Sequence, residues 1–144
     1  MKPVEILLVE DNPGDARLTR EALSASKVRN RLHRASDGEE AMAFLRREGS
    51  FADVPAPDLI LLDLNLPRRD GREVLEDIKN DPALKHIPVV ILTSSREEED
   101  LIRGYDLGAN SYVRKPVDFA QFVNAVHHLQ AYWLVLNEPP PSQG

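Results

Sequence analysis

Five side chains in this sequence are of the types that together handle phosphoryl groups: the adjacent acids Glu10 and Asp11, then Asp63, Thr93 and Lys115. Each stands where an apolar run stops. Carboxylates brought close together repel, and each resists ionising until a proton or a cation relieves the charge. A small hard divalent ion suits an all-oxygen set, and Mg2+ is the natural occupant. An ammonium and a hydroxyl beside that set would serve the oxygens of a phosphoryl group. The chemistry that fits is phosphoryl transfer onto a carboxylate, which forms an acyl phosphate. Taken singly the residues are ordinary, since an Asp after an apolar run is most often a turn or a helix cap. Only their joint placement carries the signal.

That placement depends on the elements. Val4–Val9 is an aliphatic run that breaks into Glu10-Asp11-Asn12-Pro13-Gly14, which reads as strand then loop. Helical spacing follows over Asp15 to Ser26, then a weak strand near Arg31–Ala35, a turn signal at Asp37-Gly38 and a helix through Ala41, Met42 and Leu45. Residues 48–57 read as a Pro-containing loop. Leu59–Leu62 ends in Asp63, Gly71 to Asn80 is helical, Pro88–Leu92 ends in Thr93, and Glu97 to Leu107 is helical again. Ser111–Val113 ends near Lys115-Pro116, and a long last helix begins near Asp118. Strands alternating with helices predict an α/β fold, a parallel sheet with helices on both faces and right-handed crossovers. Ligands of such sheets bind at the carboxyl ends of the strands, where all five residues fall.

The 144 residues suit one domain. There is no cysteine, which excludes disulfides, cysteine-held metals and thiol nucleophiles. The net charge of −6 argues against general nucleic-acid binding. The acidity is uneven: residues 73–144 hold 6 basic and 11 acidic side chains, against 12 and 13 before them. With no long apolar segment and no signal peptide, a cytoplasmic protein away from membranes is expected. Glu138 to Gly144 reads as a disordered Pro-rich tail, leaving residues 1–137 as the domain.

The segments ILLVEDN, LILLDLNLPRRDG, PVVILTSS and GANSYVRKP resemble the receiver domain of two-component response regulators over roughly residues 4–130. The resemblance implies a flavodoxin-like (βα)5 fold. It implies that Asp63 is the phosphoacceptor, and that Glu10, Asp11, Asp63 and the backbone carbonyl of Asn65 hold Mg2+. Asp11 is expected as the more direct ligand, with Glu10 partly through water. Lys115 is expected to pair with the phosphoryl group, Thr93 to swing toward it, and Tyr112 to change rotamer in step. A cis Lys115–Pro116 peptide belongs to the same pattern. The partner implied is a sensor histidine kinase that supplies the phosphoryl group. Little chain follows the receiver, so output by protein contact, or onward relay of the phosphate, is expected. The protein is not expected to act as an enzyme on other molecules.

Two other classes of protein share parts of this pattern. A Mg2+-dependent phosphatase with an aspartyl nucleophile would want an acid two residues after Asp63, where Asn65 stands. A degenerate receiver serving only as a binding module would lack site residues, and all are present. Asn65 and Ser95 flank the acceptor in the family pattern, which suggests slow to moderate loss of phosphate. Ser95 and Glu98 have capping-box spacing, a simpler reading than an acidic docking surface. The histidines His33, His86, His127 and His128 lack metal-ligand spacing and read as surface residues. Arg68 and Arg69 read as a solvated loop, with kinase contact as the alternative. The stretch 49–57 and the prolonged last helix resemble the single-domain regulators paired with phytochrome-type kinases. In that helix Phe119, Phe122, Val126, Leu129, Trp133 and Leu136 recur in a heptad-like stripe. Its far part, with Leu129, Tyr132, Trp133 and Leu136, is expected to overhang the sheet and form a homodimer interface.

Overall fold

The computed structural model describes residues 3–24, 29–67, 70–103, 111–117 and 120–121. Their order is β1 (Val4–Val9), α1 (Pro13–Ser24), β2 (Asn30–Ala35), α2 (Gly38–Leu45), β3 (Leu59–Asp63), α3 (Gly71–Asn80), β4 (Val89–Thr93), α4 (Arg96–Arg103) and β5 (Ser111–Arg114). The five strands form one parallel sheet in the order β2-β1-β3-β4-β5. This is the flavodoxin-like architecture that the alternation predicted.

Every residue of β3 and β4 is buried, because helices cover both faces of the sheet. Side chains alternate between two cores, as the two-residue repeat of a strand requires. Leu7, Val9, Ile60, Leu62, Val89 and Ile91 pack with Met42 and Phe44 of α2 and with Val74, Leu75 and Ile78 of α3. Ile6, Leu8, Leu59, Leu61, Val90 and Leu92 pack on the other face with Ala16 and Leu23 of α1 and with Val113. The edge strand β2 is half-exposed, which explains its weak apolar pattern.

Local chemistry fixes the helix starts. Asn12 Oδ1 accepts from the backbone N–H of Asp15 at 3.0 Å, and Pro13 takes the first helical position, where a missing N–H costs nothing. The Asp37-Gly38 pair is not a free turn: Asp37 is the N-cap of α2, accepting from the Glu40 N–H at 2.8 Å. The loop 48–57 contains a short 3-10 turn, Gly49–Phe51. The helix expected over Glu97 to Leu107 is described as Arg96–Arg103. The stripe residues Leu129, Tyr132, Trp133 and Leu136, the tail, Arg68, Arg69, His127 and His128 lie outside the described residues. No helix among the described residues is long and apolar enough to cross a membrane.

Candidate functional site

Strand parity separates Glu10, Asp63 and Lys115 from Thr93. Glu10 continues the Ile6, Leu8 series, Asp63 the Leu59, Leu61 series, and Lys115 follows Val113, so all three continue the face that packs on α1. Thr93 continues the Val89, Ile91 series of the opposite face. Backbone hydrogen bonds extend the strand ends: Glu10 N–H donates to Ala35 O at 3.0 Å, and Lys115 N–H to Thr93 O at 2.8 Å. The Lys115–Pro116 peptide is cis.

Lys115 Nζ lies among carboxylates. It donates to Asp63 Oδ2 at 2.9 Å, to Glu10 Oε1 at 3.1 Å and to Asp15 Oδ2 at 3.1 Å. Burial works against the ammonium charge. Its hydrogen bonds to Asp63, Asp15 and Glu10, and the Asp63 charge, outweigh that, and its pKa is raised. Glu10 is fully buried, and its carboxyl is pushed up to about 7, first by burial and then by Asp63, with Lys115 opposing. The sequence offered a proton or a bound cation as relief for the clustered acids. The structure adds a third, an internal ammonium.

Asp15 was missed at the sequence level. It stands in the first turn of α1, where an acid is ordinarily explained by the helix dipole. The available signal was parity: Glu10, Asp63 and Lys115 share the face that α1 covers. Arg34 was missed as well. From the neighbouring strand β2 its Nε donates to Glu10 O at 3.0 Å and its Nη2 to Asp11 O at 3.1 Å, so it clamps the acidic loop by its backbone.

Among the described residues, Glu10, Asp11 and Asp63 form a group in which one carboxylate oxygen from each lies within 4.8 Å of the other two. The set fits a hard divalent ion: oxygen donors only, with Asp11 exposed and Asp63 almost fully buried. Asn65 follows in the loop after β3, where its N–H donates to Asp63 Oδ1 at 3.0 Å. Thr93 is fully buried, and its Oγ1 has no hydrogen-bond partner among the described residues. Tyr112 in β5 is half-buried and packs against the α2–α3 core.

Two further expectations fare differently in detail. Ser95 Oγ does cap α4 by accepting from the Glu98 N–H at 3.2 Å. The Glu98 carboxylate, however, reaches Ser94 N at 3.0 Å and Asn65 Nδ2 at 2.8 Å, where a closed capping box would use the Ser95 N–H. His86 is exposed as expected, but His33 is half-buried, with Nε2 3.3 Å from Glu5 Oε1 and its ring 5.5 Å from that of Phe44.

Acids at the ends of β1 and β3, a hydroxyl at the end of β4 and a lysine after β5, on this sheet order, define a receiver. The response regulator receiver domain model matches residues 6–127, and the chain belongs to that family. It is 47% identical over 132 residues to the response regulator Rcp1 of Synechocystis sp., covering 92% of this chain and 90% of Rcp1. A manganese-bound form of Rcp1 superposes with a TM-score of 0.75 at 44% identity, over 97% of this chain and 100% of that one. The bacteriophytochrome response regulator AtBRR gives a TM-score of 0.87 at 48% identity, over 96% of this chain and 100% of its own. The phosphorylated cyanobacterial phytochrome response regulator RcpA gives 0.76 at 48% identity, over 98% and 100%.

Proposed function

We propose that this chain accepts a phosphoryl group from a phosphohistidine of a sensor kinase onto Asp63, and signals by contact with other proteins. The observation that carries the reading is the single ammonium of Lys115 bonded to both Asp63 and Glu10 at the carboxyl end of the sheet. An Asp63 carboxylate oxygen attacks phosphorus, the P–N bond to imidazole breaks, and the acyl phosphate forms while the imidazole leaves and takes up a proton.

Glu10, Asp11, Asp63 and the Asn65 carbonyl would hold Mg2+, with Asp11 the more direct ligand of the acidic pair. When bound, the ion supplies charge neutralisation for the phosphoryl oxygens. Lys115 then exchanges its carboxylate partners for a phosphoryl oxygen. Thr93 Oγ1 turns to donate to another, and Tyr112 moves into the space released. This biases an existing two-state equilibrium. Asn65 offers no acid two residues after the acceptor, which favours a receiver over an aspartyl phosphatase. Likeness to AtBRR and RcpA supports a phytochrome-type kinase as the donor, and the Leu129, Tyr132, Trp133 and Leu136 stripe supports a homodimer.

Incubation with acetyl phosphate and Mg2+, followed by intact-mass measurement, tests the acceptor. Wild type gains one phosphoryl group and Asp63→Asn gains none. A labelled Asp63→Asn chain would refute the assignment.

A further inference from the structure

One carboxylate outside the acidic cluster spans two loops at the rim of the site. Glu98 Oε1 accepts from the backbone N–H of Ser94 at 3.0 Å, and its Oε2 accepts from Asn65 Nδ2 at 2.8 Å. Ser94 follows Thr93, and Asn65 stands two residues after Asp63. β3 and β4 are adjacent strands with Asp63 opposite Leu92. Glu98 therefore ties the loop leaving the acceptor to the loop leaving the hydroxyl. Helix capping does not demand this. Ser95 already caps α4, and a capping-box acid would return to the N-cap N–H. Here the acid passes that group and spends its second oxygen on another element. At the end of β4, the fully buried Thr93 hydroxyl lacks a partner among the described residues.

We propose that Glu98 is a resident anion standing in for phosphoryl oxygens. In the unphosphorylated protein it occupies donors beside the space that an acyl phosphate on Asp63 would fill, and it gives way when the phosphoryl group arrives. The inference rests on Asp63 being the acceptor. Like charges a few ångströms apart repel, and two anions do not share one N–H at full strength. Glu98 thus opposes loading, and its release uncouples the first turn of α4 from the loop after β3. It is a positioning residue, acting through Ser94 and Asn65.

The test compares initial rates of acetyl phosphate loading, with Mg2+, in wild type, Glu98→Gln, Glu98→Ala and Glu98→Asp. Asp63→Asn serves as the control. Glu98→Gln keeps the shape and loses the charge: its carbonyl can accept from Ser94, and the Asn65 amide can turn to match. Glu98→Gln and Glu98→Ala should load about three- to tenfold faster than wild type at low salt. The gap should narrow as salt screens the charge, which a purely structural role would not produce. Glu98→Asp should stay nearer wild type, and Glu98→Gln should melt at the wild-type temperature. Loading of Glu98→Gln at or below the wild-type rate, with wild type itself labelled on Asp63, would overturn the proposal. No label on wild-type Asp63 would instead remove the acceptor reading on which it rests.

Discussion

Lys115 holds together what Glu10, Asp15 and Asp63 would otherwise push apart. Its ammonium is bonded to two of the three carboxylates that would hold a divalent ion. Lys115→Ala should therefore bind Mg2+ about three- to tenfold more tightly, from the loss of one competing charge. The same variant should fail to propagate the phosphorylated state, and isothermal titration beside a partner-binding assay separates the two effects. Glu10 adds a pH dependence of definite sign. Its folded pKa of about 7 exceeds the ordinary glutamate value of 4.5, so the folded state binds the extra proton. That contribution is fully present below about 4.5 and is lost as pH rises through about 7. Metal-free protein should lose stability to urea over that interval, and Glu10→Gln should flatten the slope. Glu10, Asp11, Asp63, Thr93 and Lys115 were legible in the sequence because each ends an apolar run. Asp15 and Arg34 were not, because an acid at a helix start and an arginine on an edge strand each have an ordinary local explanation.

At the level of elements, α3 shows how closely secondary structure is fitted to the site. Its first residue, Gly71, lies against the backbone after β3, and its N–H donates to Leu64 O at 3.1 Å. A Cβ there would stand 2.7 Å from Leu64 Cα and closer still to the Asp63 carbonyl oxygen. Both obstacles are main chain, so relief requires moving the strand end that carries Asp63. Gly71→Ala should cost about 1–3 kcal/mol in denaturant unfolding, as overpacking does, and weaken Mg2+ binding with it. An alanine variant with unchanged stability and metal affinity would contradict this close approach. The helix itself was predicted at Gly71 to Asn80, its observed bounds, because Val74, Leu75 and Ile78 sit at helical spacing. The reason for the glycine was not legible, since only the folded chain brings Leu64 beneath it. The reach of Glu98 to Asn65 was hidden for the same reason: the contact crosses 33 residues of sequence.

Across the whole molecule, the parallel sheet was readable because β1, β3 and β4 are apolar on nearly every position, as strands covered on both faces must be. β2 was the weakest signal because one edge of a sheet is only half covered. In the order β2-β1-β3-β4-β5 the chain moves outward from β1, returns past it and continues to the other side. That reversal places the carboxyl ends of β1 and β3 side by side, and with them the acids of the candidate metal site.

A parallel sheet with its chemistry at one end has a second end that can be rewritten. The loop before β3 is anchored at its close, where Glu5 N–H donates to Asp58 Oδ2 at 2.9 Å and Asp58 N–H to Glu5 O at 2.7 Å. Just before that anchor, Pro55 and Ala56 are exposed. From Leu59 to Asp63 the strand advances about 13 Å, so this loop opens well away from the acceptor. Doubling a loop's length costs only about 0.6 kcal/mol in closure entropy. A peptide epitope or small fluorescent reporter spliced between Pro55 and Ala56 should leave acetyl phosphate loading at the wild-type rate by intact-mass assay. Loss of loading would show that the far end is mechanically coupled to the site. The receiver would otherwise serve as a scaffold whose handle and chemistry can be engineered separately.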